Sequence, residues 1–402
     1  MNVNIPKRRF KGFSEDWEQE KFSNIFKRVS ESSDSEAIPI VEYEDIDNES
    51  RVLKSDFKYR FSSRDGLKFS EKDILFGKLR PYLRNQILSD FKGKAIGDFW
   101  ILRSQMNHPI FDYYLLDTPR LSHITNLTTG TRMPRSDWNT IDSYNIKVPV
   151  EIKETERIAH FLSLLDKAIS LHKRKFEKLK QLQKSYLSES VFSETKCVPK
   201  RRFKGFTEPW EQRKLKDITE KISERNTDNH YQNVFTNSAL HGIINQTDYF
   251  DRNIANSTNL TNYYVVQKDN FIYNPRISSN APYGPINRNK LNQVGVMSPL
   301  YLVFENRLAS HDFLEYYFFS SKWYRYMLKV GNTGARSDRY AIKNKDFFNM
   351  PIFIPEYNEQ CKVGNILKVL NKTITLHKHK HNAIKILQKI YLQNNLEDET
   401  YA

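Results

Sequence analysis

Internal repetition constrains this chain more than any other feature. KRRFKGFSEDWEQ at 7–19 returns as KRRFKGFTEPWEQ at 200–212, identical at 11 of 13 positions and 193 residues further on. A second pair, ETERIAHFLSLLDKAISLHKRKFEKLKQLQKSYL at 154–187 and EQCKVGNILKVLNKTITLHKHKHNAIKILQKIYL at 359–392, is offset by 205. Between these anchors, 23–147 and 216–353 share only marks such as Lys72-Asp73 with Lys268-Asp269 and Thr129-Gly130 with Thr333-Gly334. Self-similarity at a long period sets the architecture before any local reading. Each half is a variable domain between repeated ends.

The C-terminal repeats read as long helices. Leu162, Leu165, Ile169, His172, Phe176, Leu179, Gln183 and Tyr186 step alternately by three and four, the a/d seam of a coiled coil. The seam recurs at Val363, Leu367, Leu370, Ile374, His377, His381, Ile384, Gln388 and Tyr391. Pro149 and Pro355 stand just upstream, where a chain turns into a helix. At about 1.5 Å per residue such a helix is a rod of roughly 50 Å. A single seam needs a partner, and the other copy is the nearest one, packed antiparallel with His and Gln layers setting register.

The variable regions mix short strands rich in apolar residues (Asp73-Ile74-Leu75-Phe76, Asp98-Phe99-Trp100-Ile101-Leu102, Asn270-Phe271-Ile272-Tyr273, Leu300 to Phe304) with helical spacing at 108–121 and 311–328. The expected fold class is α+β: two mixed α/β domains, each a twisted sheet plus helices, joined by two long helices as an antiparallel coiled coil with a pseudo-twofold internal repeat. The expected boundaries are 1–147, a first domain; 148–192, the first repeated helix; 193–199, a linker; 200–353, a second domain; 354–396, the second helix; and 397–402, a tail.

Composition excludes several classes. No run of about 18 apolar residues is present, and MNVNIPKRRFKGF has no apolar core of a secretory signal, so no membrane is expected. Cys197 and Cys361 neither build a disulfide framework nor sit at zinc-ligand spacing, which points to a reduced, cytoplasmic chain. With 63 Lys and Arg against 48 Asp and Glu, the net charge of +15 calls for an acidic partner.

Catalytic signatures are absent. There is no GxxxxGK[ST] and no GxGxxG after a strand. Asn274-Pro275-Arg276 and Asn280-Ala281-Pro282-Tyr283 depart from the Asn/Asp-Pro-Pro-aromatic turn of an adenine methyltransferase. Asp142, Glu151 and Lys153 imitate a nuclease triad, but the second helix opens on Pro355-Glu356-Tyr357-Asn358 with no lysine, which favours charges at a helix start. His377 and His381, with His379 between them, suit a metal by spacing. They lie on the seam, where a polar layer is the simpler role.

Binding remains. Lys78, Arg80 and Arg84 surround Tyr82, and Thr129, Arg132 and Arg135 follow in a second loop; the other half has Asn274, Arg276 and Tyr283, then Arg336, Arg339 and Tyr340. Guanidinium forks and amides address base edges, while Lys, Thr and backbone N–H groups hold phosphates. Basic-aromatic loops at corresponding places in both halves favour DNA contact over solvated surface, with Arg132 or Arg135 in the first half and Arg336 or Arg339 in the second reading bases and Lys78 on phosphate.

Two variable domains alternating with helices of the type LHKRKFEKLKQLQKSYL and LHKHKHNAIKILQKIYL resemble the specificity subunit of type I restriction-modification enzymes. DILFGKLRPYLRN at 73–85, the Thr-Gly loops and the FKGFxExWEQ openings resemble that family too, and the likeness covers nearly the whole chain. It implies that each variable region is a target-recognition domain for one half of a bipartite double-stranded DNA site, with the helices as spacer and docking surface. It also implies two modification subunits methylating adenine with S-adenosylmethionine, and motor-nuclease subunits using ATP and Mg²⁺, the chain itself holding no cofactor and catalysing nothing. Two alternatives are the recognition subunit of a methylation-only assembly, which copurification of a nuclease subunit would separate, and a basic dimerising regulator, which predicts a helix-turn-helix.

Overall fold

A computed structural model describes residues 6, 8–126, 133–190, 198–248, 260–332 and 338–396. The chain forms two compact units, Met1–Lys175 with His377–Ala402, and Phe176–Leu376. Each unit contains one variable domain and part of both long helices, Ile152–Ser190 and Tyr357–Asn395.

The central sheet of the first unit runs Phe26–Val29, Phe99–Ser104, Ile74–Gly77, Gln86–Leu88, all antiparallel. That of the second runs Thr219–Lys221, Leu302–Asn306, Phe271–Tyr273, Ile286–Arg288, also antiparallel and in the same connectivity. The middle strands are apolar without alternation because both faces are covered. Ile74, Phe76, Trp100 and Leu102 enter one core with the helices, while Leu75, Phe99 and Ile101 enter another. Phe271, Tyr273, Leu302 and Phe304 divide likewise from Ile272 and Val303. One cross-strand aromatic pair recurs: Trp100 stacks on Phe76 at 5.7 Å, and Phe304 on Phe271 at 5.6 Å.

The turn before each third strand shows how the halves correspond. Lys72 (φ 68°) and Asp269 (φ 69°) take the left-handed position, and the side chains of Asp73 and Asn270 accept the N–H groups of Ser70 and Gln267. Lys72 therefore matches Asp269 rather than Lys268, a shift of one from the pairing suggested by letters alone.

Two stretches with continuous helical spacing are broken. The first is Pro109–Leu115 and then Pro119–Thr125, because Pro119 has no N–H to continue a helix. Thr118 caps the new start by accepting from the Leu121 N–H. The second is His311–Phe319 and then Tyr324–Val330, interrupted where Ser320 Oγ donates to the Tyr317 carbonyl and the buried Trp323 indole to that of Phe318.

The repeated openings dock on the repeated helices. Glu18–Lys21 pairs with Asn145–Val148, and Glu211–Lys214 with Pro351–Ile354, which returns each domain to the start of its helix. There Arg9 Nε and Nη2 both lie 2.7 Å from the Glu154 carboxylate, and Arg202 Nε and Nη2 both lie 2.8 Å from that of Glu359. Both glutamates are 1% exposed. A bidentate, desolvated Arg–carboxylate pair is geometrically exacting. The two offsets in the sequence are thus joined in space as one clamp, made once in each unit.

Every seam position is buried or half-buried. In the first unit the helices run antiparallel: Phe161 lies 5.0 Å from Tyr391, Asp166 Oδ1 accepts from Gln388 Nε2, the Ile169 carbonyl lies 3.2 Å from His381 Nδ1, and His172 Nδ1 lies 2.8 Å from His377 Nδ1. His172 and His377 occupy the same place in the two repeats. Leu162 and Leu165 join this unit's core, and Ile384 also faces inward. In the second unit Tyr186 shares a core with Val363 and Leu367, while Leu179, Leu370 and Ile374 also face inward. No helix among the described residues is long and apolar enough to cross a membrane.

Candidate nucleic-acid interface

The basic loops grow out of the central sheets. In the first unit the chain leaves Ile74–Gly77 through a 3₁₀ turn, Pro81–Leu83, flanked by Arg80 (φ 49°) and Arg84 (φ 57°). The segment around Arg135 lies against it: Leu79 bridges to Arg135, the Arg80 N–H reaches the Pro134 carbonyl at 2.8 Å, and that of Ser136 reaches the Lys78 carbonyl at 2.9 Å. Two loops about 50 residues apart in sequence thus make one surface.

The second unit makes the same join. Arg276 bridges to Arg339, the Ile277 N–H reaches the Asp338 carbonyl at 3.0 Å, and that of Tyr340 reaches the Pro275 carbonyl at 2.8 Å. Only the backbone plan is shared. Gly77 N–H bonds to the Asn85 carbonyl and Asn274 N–H to that of Pro285, so Arg84 occupies the place of Gly284 (φ 82°). A Cβ on Gly284 would lie 2.0 Å from the Asn274 carbonyl oxygen, which only glycine avoids.

Side-chain placement sorts the candidates. In the first unit Arg80 is exposed, as are Tyr82 and Met133 beside it, whereas Arg135 pairs with Asp98 at 2.8 Å and Lys78 lies 3.9 Å from the same carboxylate. Arg84 is engaged with Asp117 at 2.6 Å. In the second unit Arg276 is 71% exposed and only 3.9 Å from Asp338, and Arg339 is half-buried. Asn274 is scaffold: its Nδ2 donates to the Asn237 carbonyl and its Oδ1 accepts the Arg276 N–H. Tyr340 is 5% exposed, with its hydroxyl on the Met327 carbonyl and its ring 5.0 Å from that of Tyr283, so its side chain packs in the core beneath the loop. Thr129, Arg132 and Arg336 lie outside the described residues.

Beside Arg339 the second unit opens into a concavity of about 780 Å³ whose lining includes Lys221, Tyr264, Tyr301 and Lys343. Aromatic faces among cations suit a sugar-phosphate strand. No group of three or more His, Cys, Asp or Glu side chains able to hold a metal ion occurs among the described residues.

The chain matches the family model of the type I restriction modification DNA specificity domain over residues 98–181 and 207–386, more than half its length. It belongs to that family. The S subunit of a type I restriction-modification system from M. genitalium is similar over 98% of this chain and 100% of that one, at 13% identity and a TM-score of 0.59, and shares the fold. The HsdS subunit from Thermoanaerobacter tengcongensis aligns over 96% and 97% of the two chains at 17% identity and a TM-score of 0.44. As a member of this family the chain is a DNA-recognition protein.

A second recurrence escaped the comparison of letters. HPIFDYY at 108–114 and HDFLEYY at 311–317 are equivalent, and each buries an acid, Asp112 or Glu315, followed by two tyrosines. Asp112 accepts from Asn107 Nδ2, and burial pushes its carboxyl up to about 7. Glu315 instead faces Lys290 at 2.5 Å and Arg288 at 3.5 Å.

Proposed function

We propose that this chain is the specificity subunit of a type I restriction-modification complex and that each unit reads one half of a bipartite DNA site through its paired loops. The carrying observation is the equivalent joins Leu79–Arg135 and Arg276–Arg339, one backbone platform presenting different side chains. Two unlike readers in one chain call for two unlike half-sites.

Partners supply the chemistry. Modification subunits with S-adenosylmethionine methylate adenine, and motor-nuclease subunits with ATP and Mg²⁺ translocate and cleave. The helices offer equivalent exposed apolar positions, Leu164 with Val369, Leu171 with Leu376 and Leu182 with Leu387, which suit two copies of one partner. The net charge of +15 draws the duplex to the assembly.

The test is sequencing of methylated sites made by the chain with its modification subunits. Arg276→Ala is expected to relax one half-site by about 1–3 kcal/mol per lost bidentate contact, and Arg80→Ala the other. Loss at both half-sites from either substitution, or a continuous site, refutes the assignment.

A further inference from the structure

In the first unit a run of contacts leads from the basic loop inward to the helices. Arg51 and Arg84 both have left-handed backbones, at φ 54° and 57°, which disfavours any residue with a Cβ. Both guanidinium groups converge on Asp117, whose side chain is 3% exposed: Arg84 Nη2 at 2.6 Å, with Arg51 paired on the other carboxylate oxygen. Gln86 Nε2 donates to the same carboxylate at 2.9 Å. Side-chain pairing thus holds two strained arginines where glycine would be easier, and the second unit indeed has Gly284 in place of Arg84.

The run continues. Arg51 lies over the rings of Tyr113 and Tyr114, at 4.8 and 5.7 Å, and the Tyr113 hydroxyl returns to the Arg51 carbonyl. The Tyr114 hydroxyl donates to Asp166 Oδ2 at 2.5 Å on the first helix, and Asp166 Oδ1 accepts from Gln388 on the second. Burial and the Asp166 charge raise the Tyr114 pKa, which keeps the phenol a donor. Two residues before Arg51, Glu49 reaches Lys173 and Lys385, one on each helix, at 3.2 and 3.1 Å.

We propose that Glu49, Arg51, Arg84, Asp117, Tyr114 and Asp166 form a positioning latch. It fixes loop 78–85 to the helix pair, so where the first half-site is read relative to the second is set by protein contacts behind the loop. Arg84 is then a positioning residue, not a reader of bases. This rests on the reading of that loop as a DNA surface.

The experiment uses the full chain with its modification subunits and a DNA library in which the two half-sites are separated by spacers of varied length. Arg84→Gly is the first variant, since glycine accepts the backbone and the second unit already uses it. Tyr114→Phe removes one hydroxyl, and Glu49→Ala releases the two lysines. The wild-type chain is expected to methylate one spacer length. Each variant is expected to raise methylation at spacers one base pair longer or shorter by about tenfold, with the bases of both half-sites unchanged. Combining Glu49→Lys with Lys173→Glu and Lys385→Glu should restore the strict spacer. An unchanged spacer in all three variants overturns the latch, as does altered base choice in the first half-site with Arg84→Gly. No bipartite site for the wild-type chain overturns the functional reading and the latch with it.

Discussion

The two units share a sheet order, an Arg–Glu clamp and a loop join, yet fasten their recognition domains to the helices by different chemistry. In the first, the Tyr114 hydroxyl meets the Asp166 carboxylate. In the second, the equivalent helix position is Asn371, bonded to Tyr316, and the ionic tie runs from Arg288 through Asp312 to Lys368 at 2.7 and 2.9 Å. Backbone topology depends on where apolar residues fall, and many sequences satisfy it. A polar fastening depends on a few atoms at bonding distance, so it diverges whenever one partner changes.

The largest effect is expected at the Arg–Glu clamp that both units share. Arg9→Ala leaves the Glu154 carboxylate buried without its partner, at a cost of about 3–5 kcal/mol. Denaturant unfolding followed by limited proteolysis should show the first unit failing earlier while the second holds, and Arg202→Ala should reverse the order. A loss below about 1 kcal/mol would place these pairs with ordinary surface bridges.

The buried acids sharpen the contrast next. Because the Asp112 carboxyl is raised to about 7, the folded first unit holds a proton that the unfolded chain releases near pH 4. Its contribution is full below about pH 4 and is lost as pH rises to about 7, by up to about 4 kcal/mol. Asp112→Asn should flatten that slope and stabilise the first unit at about pH 8. Glu315→Gln, which takes the ionic partner from Lys290 and one of three carboxylates from Arg288, should not stabilise the second. Melting curves across this pH range decide both, and an equal response of the two units would erase the distinction.

The smallest effect is expected at the histidine layer. Burial, then His377 and neighbouring lysines, hold the His172 pKa below its ordinary value. A depressed histidine contributes stability above the unfolded pKa of about 6.5 and loses it as pH falls through the lower folded value. His172→Leu should remove this small acid sensitivity. Melting temperatures at about pH 5 and about pH 7.5 that change as in the wild type would show that the pair carries no such linkage.

Local pattern was a sound guide where one element contained its own signal. The heptad spacing marked both long helices, and the runs at Ile74–Gly77 and Phe271–Tyr273 marked central strands. It misled where a turn interrupted a spacing, as at Pro119 and Ser320, and where letters were matched one residue out, as at Lys268. It was silent about partners distant in the chain. Arg84 looks like any loop arginine until Asp117 lies beneath it, and Tyr340 looks like an exposed aromatic until its hydroxyl is on Met327.

The sequence by itself determined that the chain is built twice, that its ends are long helices and that its variable parts carry basic loops, because periodicity, repetition and charge are properties of neighbouring letters. Tertiary structure alone decided that Arg9 meets Glu154, that Leu79 lies against Arg135, and that each compact unit takes part of both helices. Those outcomes depend on which surfaces meet, and burial favours surfaces by shape and apolar area without regard to distance along the chain.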